Sequence, residues 1–188
     1  MERRVSDKNL LNQFTADFVK VLDKNKVTYA IVSGFVAISH GRARGTEDID
    51  IIIERISLQK FEELHNDAAK AGFECLQGEN PEMLFNDYLK DNLSLRYIKK
   101  GQFVPEIELK PAKDLLDEKQ LRERTKLPLT GLPFFFSNIE TNIAFKEELL
   151  KPPKDLEDSR HLRIIYSEKL DEAKISEIKG LIRKYRLK

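Results

Sequence analysis

The sequence predicts a mixed α/β protein: a mixed β-sheet flanked by helices, followed by a mainly helical C-terminal part. Two patterns carry that prediction. Short β-rich apolar runs alternate with segments of helical periodicity up to about residue 112, and beyond residue 138 helical periodicity takes over. The expected division is an α/β core over residues 1–112, then a β-hairpin and helical part over 113–188 packing on it.

Taken in order, "KNLLNQFTADFVKVLDKN" spaces Leu10, Leu11, Phe14, Phe18, Val21 and Leu22 as one helical face, which predicts a helix over 8–24. "VTYAIVSG" reads as a strand ending at Ser33-Gly34, and "FVAISHG" as a short helix that Gly41 stops. "IDIIIE" is the next strand. "SLQKFEELHNDAAKAG" is a helix with Ser57 as N-cap and Gly72 past its end. "FECL", "LSLRYIKK" and "PEIELKP" read as strands, with "PEMLFNDYL" a short helix between the first two. "KLPLTGLPFFFS" is expected to form two short strands around Thr130-Gly131. Helices follow over about 138–150, 155–167 and 171–185, the first two separated at Lys151-Pro152-Pro153 because proline cannot donate within a helix.

At 188 residues the chain can bury a sizeable core, and no apolar run approaches the roughly 20 residues needed to span a bilayer. The charged start "MERRVSDKNLL" lacks the apolar block of a secretory signal. Cys75 is the lone cysteine, so there is no internal disulfide framework, and a cytoplasmic, membrane-free setting is expected. The net charge of +1, from 33 basic and 32 acidic residues, gives no general attraction to polyanions. His40, His65 and His161 lack the spacing of a zinc site.

Asp48 and Asp50 stand out because a buried strand wants neither. Two apart on a strand, they project from one face while Ile49 and Ile51 point to the other. Carboxylates so close are costly to keep ionised without a compensating cation, which a hard divalent ion would supply. Upstream, Ser33-Gly34 sits where a strand turns into a helix, a position with free N–H groups suited to phosphate. Arg42 and Arg44 lie in the same linker. Glu106 and Glu108 in "PEIELKP" share a face of a later strand and offer a third carboxylate, Glu108 being favoured because it lies deeper before Lys110-Pro111. The competing reading has both as surface acids paired with Lys99, Lys100 or Lys110. The tail "KGLIRKYRLK" gathers Lys179, Arg183, Lys184, Arg186 and Lys188. A basic helix end complementing its own dipole explains it better than RNA contact.

Ser33-Gly34 and Asp48-Ile49-Asp50 resemble the signature of the nucleotidyltransferases of the DNA polymerase beta superfamily. With Arg44 and Thr46 before the acid pair, "HGRARGTEDIDIII" is similar to the small prokaryotic branch. Ser33 departs from it, standing where glycine is usual. "NIAFKEELLKPPKDLEDSRHL" resembles the C-terminal segment of that branch, including its abortive-infection and toxin members, with Lys146, Lys154, Asp155 and Asp158 in the matching places.

The resemblance implies a nucleotidyltransferase-like fold. It also implies an enzyme that moves a nucleoside monophosphate from a nucleoside triphosphate, ATP among them, to an acceptor hydroxyl with release of pyrophosphate. Asp48, Asp50 and Glu108 would hold metal, two magnesium ions or manganese in their place, and with Lys146 form the catalytic set. Ser33, Gly34, Arg44, Thr46, Lys146, Asp155 and Asp158 would surround the nucleotide. Lys146 is expected on an exposed helix surface, cheap to truncate. The acceptor is open between RNA, protein and a small molecule. Two further readings are a toxin-type enzyme with a cognate antitoxin or regulator, and a catalytically silent nucleotide-binding module.

Overall fold

The computed structural model describes residues 2–187. Helix α1 (Glu2–Lys24) leads into strand β1 (Tyr29–Ile31), helix α2 (Gly34–Ser39), strand β2 (Asp48–Ile53) and helix α3 (Leu58–Lys70). Strand β3 (Phe73–Cys75) is followed by α4 (Pro81–Leu84), which runs on as a π turn to Leu89. Strands β4 (Leu95–Lys99) and β5 (Glu106–Pro111) complete the sheet. The remainder is α5 (Leu115–Arg122), α6 (Ile139–Phe145) extended by a π turn to Leu150, α7 (Pro153–Ile165) and α8 (Glu172–Arg186).

The expected mixed sheet is present, with strand order β1-β2-β5-β4-β3. Only the central pair, β2 with β5, is parallel; β1–β2, β5–β4 and β4–β3 are antiparallel. A parallel pair needs a long crossover, and α3 through β4 supply it. Ile49, Ile51 and Ile53 of β2 alternate with the acids and are fully buried, together with Ile107 and Leu109 of β5, Phe18 and Leu22 of α1, and Phe61 and Leu64 of α3. The same cluster includes Phe136, Ile143, Leu162, Ile178 and Ile182, so the C-terminal helices share this core. On the other side of the sheet Ile52 packs with Ala30, Ala112 and Leu121.

Two local expectations change. Across 126–136 there is no two-stranded hairpin: Pro128–Thr130 forms a 3-10 turn closed by Gly131 in the left-handed region, and Thr125 meets Phe136 in a single antiparallel bridge. Pro128 and Pro133 lack the N–H groups a ladder requires. Phe136 instead adds a parallel bridge to Ile31 at the β1 edge. Helix α5 is additional to the predicted elements. Asp114 caps it, accepting from the N–H groups of Leu116 and Asp117.

The last helices are tied together by charge. Glu147 accepts from Arg163 of α7 at 2.6 Å, Lys179 of α8 at 2.6 Å and Ser159 at 2.5 Å. Burial alone would raise its carboxyl pKa, but these donors outweigh it and hold it down at about 2. Arg186, near the end of α8, binds both Asp114 and Asp117 of the α5 start, and Arg183 meets Glu148. Lys179, Arg183 and Arg186 of the basic tail therefore serve the protein's own fold; Lys188 lies outside the described residues.

Candidate active site

Parallel pairing of β2 with β5 sets the register Asp48 opposite Glu106 and Asp50 opposite Glu108. Paired residues share a face, so the acid pair and both candidate third carboxylates project from the same side of the sheet. Glu108 joins the pair: ligand oxygens of Asp48, Asp50 and Glu108 all lie within 4.8 Å of one another. Glu106 instead faces Arg96, at 3.6 Å.

Each acid has its own support. Thr46 donates its hydroxyl to Asp48 Oδ1 at 2.8 Å, and Ser94 donates to Glu108 Oε1 at 2.8 Å. Lys110, two residues past Glu108, places its ammonium 2.6 Å from Asp50 Oδ1 and 3.0 Å from Glu108 Oε2. Burial raises the Asp50 pKa, and Lys110 offsets only part of that. For Glu108 burial also pushes upward, but Lys110 and the Ser94 hydroxyl prevail and its pKa falls. Glu108 thus lies in the acid cluster and also pairs with Lys110.

Ser33 and Gly34 lead from β1 into α2, and Ser33 lines the same cleft as Asp50. Ser33 has φ 64° and ψ −133°, a backbone region glycine adopts without cost and serine does not. This accounts physically for glycine being usual there. Ser33→Gly is expected to raise stability by roughly 1 kcal/mol, the relief of strain exceeding the entropy glycine adds to the unfolded chain. It should also weaken nucleotide binding if the hydroxyl is a phosphate donor. A thermal melt and a nucleotide titration check both halves. Gly34 has a different reason for its size: a Cβ there would lie 2.8 Å from Arg44 Nη2, so the missing side chain is what lets the Arg44 guanidinium lie against the backbone.

Arg44 uses that approach to reach Asp158 Oδ2 at 2.6 Å, while Arg42 reaches Asp158 Oδ1 at 3.2 Å and also pairs with Glu157. Lys146 meets Asp155 Oδ1 and Asp158 Oδ2, each at 2.9 Å. The expectation of an exposed Lys146 is overturned, because it is 1% exposed and two of its three donors are already engaged. Its placement follows from α6 packing its apolar face into the core, which carries the lysine inward to a pair of acids on one face of α7. Lys154 is exposed and takes no part.

A cleft of about 450 Å³ opens beside the acids, lined by Ser33, Asp50, Lys110 and Lys146 and walled by Val32, Ile52, Phe145, Leu149 and Leu150. Polar groups that sequence reasoning missed, Gln120, Asn142 and Arg186, also face it. Asn142 and Arg186 sit on helices whose approach to β2 is a long-range matter, and Gln120 belongs to the unpredicted α5. Arg44 and Thr46 line a separate groove of about 650 Å³ with Leu11, Ile38 and Pro105.

This fold, with its acids on adjacent parallel strands, is shared with solved structures of an antibiotic-resistance factor. The solution structure of the antibiotic-resistance factor ANT(2'')-Ia matches with a TM-score of 0.60 at 14% identity, over 94% of this chain and 93% of that one. The crystal structure of ANT(2'')-Ia in complex with adenylyl-2''-tobramycin matches with a TM-score of 0.55 at 15% identity, over 95% of this chain and 98% of that one. By sequence the chain matches no protein-family model and no curated protein, so the abortive-infection branch gains no support. Among the described residues no helix is long and apolar enough to cross a membrane.

Proposed function

We propose that this protein is a metal-dependent nucleotidyltransferase, transferring a nucleoside monophosphate from a nucleoside triphosphate to an acceptor hydroxyl and releasing pyrophosphate. The observation that carries the reading is the convergence of Asp48, Asp50 and Glu108, with Asp50 lining a cleft, in a fold shared with ANT(2'')-Ia. Three carboxylates form an all-oxygen donor set, which suits a hard divalent cation, magnesium first and manganese as its substitute. Bound by these residues, such an ion would supply Lewis-acid polarisation of the phosphoryl oxygens.

The remaining roles belong to the chain. Ser33, Lys110 and Lys146 line the cleft, and the Ser33 hydroxyl and the half-exposed Lys110 ammonium are suited to orient a triphosphate, with Lys146 behind them on its two acids. The lowered pKa of Glu108 fits a carboxylate that holds a cation better than one that takes the acceptor's proton. Asp155 and Asp158 act at one remove by fixing Lys146, Arg42 and Arg44. The setting is the cytoplasm, where nucleoside triphosphates are abundant.

The acceptor is sought among RNA, protein and small polyhydroxylated amines, the last because a neighbour in fold binds adenylyl-2''-tobramycin. A toxin-type role with a cognate antitoxin or regulator is a narrower form of the same chemistry. The silent-module reading rests on one observation, the ammonium of Lys110 set among the acids. The test is incubation with each α-labelled nucleoside triphosphate, ATP included, with magnesium and, in turn, total RNA, total protein and tobramycin. Label appearing on one acceptor class with matching pyrophosphate is the expected result. Nucleotide binding by calorimetry without pyrophosphate from any mixture would replace the enzyme with a binding module.

A further inference from the structure

Lys110 follows Glu108 by two residues on β5 and stands in register with Ile52, two past Asp50, so its side chain shares their face of the sheet. Its ammonium touches both carboxylates, 2.6 Å from Asp50 and 3.0 Å from Glu108. A divalent ion held by the same acids would need their oxygens at about 2.0–2.6 Å. An ion taking Asp50 Oδ1 and Glu108 Oε2 would stand within a few ångström of the ammonium, and their mutual repulsion would offset much of what the acids provide.

We propose that Lys110 is a resident counter-cation that blocks the acid cluster against free metal and swings into the cleft when nucleotide arrives. The inference rests on the metal-site reading above. Its physical basis is an exchange of partners. While Lys110 sits between Asp50 and Glu108, one of their two negative charges is compensated and a lone metal ion gains less by binding. A triphosphate in the cleft offers the displaced ammonium a new anion, so that metal and nucleotide each make room for the other. The geometry permits the swing: the Lys110 side chain is 38% exposed and borders the cleft of about 450 Å³. Lys146 is not equipped for this part, being buried on two acids of its own.

The test reads binding and accessibility rather than turnover. Manganese is titrated into nucleotide-free wild type, Lys110→Met, Lys110→Gln and Asp50→Asn, with bound ion followed by electron paramagnetic resonance. In parallel, Lys110 of the wild type is labelled with limiting acetic anhydride and quantified by mass spectrometry against the exposed Lys113. The expected result is manganese bound about tenfold more tightly by both Lys110 variants than by wild type, and hardly at all by Asp50→Asn. Acetylation of Lys110 should rise severalfold with saturating manganese and fall again when an α,β-methylene nucleoside triphosphate is added. Asp50-dependent manganese binding with unchanged Lys110 labelling and no tightening in the variants overturns the exchange and leaves the metal site standing. Equal binding by Asp50→Asn and wild type overturns the metal site and the exchange with it.

Discussion

Asp50→Asn is expected to lower nucleotidyl transfer by about 10³-fold while leaving the ligand-free protein as stable as wild type or slightly more so. The loss of rate is of the size seen when a charge-stabilising group is removed from a preorganised site. The stability side follows from burial. Asp50 is 9% exposed, and desolvation raises its carboxyl pKa despite the ammonium of Lys110 at 2.6 Å. A carboxyl whose pKa is raised by folding is one whose ionised form costs the folded state free energy at neutral pH. An amide of the same shape removes that cost, and Lys110 keeps Glu108 as a partner. The ligand-bound protein should behave in the opposite way. A ligand at about 100 times its dissociation constant stabilises a fold by roughly 2.7 kcal/mol, which moves the melting temperature of a chain this size by several degrees. Wild type with magnesium and nucleoside triphosphate should show that shift, and Asp50→Asn should lose most of it. Thermal melts with and without ligands, run beside a pyrophosphate assay, make the comparison. A variant that shifts as far as wild type and still releases pyrophosphate would remove the acid cluster from the reaction.

The acid pair and the Ser33-Gly34 turn were legible in the sequence because strand alternation and the strand-to-helix junction are local. Two acids interrupting an isoleucine run cannot be explained by a plain buried strand, and their two-residue spacing puts them on one face whatever the rest of the chain does. The third carboxylate was less legible. Glu106 and Glu108 share a face, and only the β2–β5 register, a contact between distant segments, sets Glu108 opposite Asp50. Helix α5 was hidden for a different reason: "LLDEKQLR" has few apolar residues and Leu115 is exposed, though Asp114 followed by Asp117 is a helix start signal in the sequence. The expected hairpin over-weighted Thr130-Gly131 against the prolines at 128 and 133. Lys146 was misjudged because lysines are seldom buried. The clue to its place was its partners, Asp155 and Asp158, three apart and so on one side of a helix. The C-terminal part was expected to pack on the core, and Phe136, Ile143 and Leu162 join the same apolar cluster as Ile49 and Ile51.

Lys146→Met should cost the fold far more than the truncation of a surface lysine. The methionine keeps most of the apolar stem, so the change is chiefly the loss of one charge. What remains is unequal. Asp158 is fully buried but still meets Arg42 and Arg44. Asp155 is 5% exposed and, among the ion pairs of the described residues, has Lys146 as its cation. Stranding a buried charge costs about 3–5 kcal/mol, and at about 2–4 °C per kcal/mol the melting temperature should fall by roughly 6–20 °C. The second substitution separates charge from packing. Adding Asp155→Asn to Lys146→Met removes the stranded carboxylate and should recover at least half of the lost stability, measured by denaturant unfolding of both variants and wild type. No recovery would mean that the lysine contributes through its packing alone. The same double variant also isolates the functional role, since its fold is restored while its ammonium is still missing. Nucleotide affinity that stays about tenfold weak in the rescued protein assigns Lys146 to the phosphates, and affinity that returns with stability confines it to holding α6 against α7.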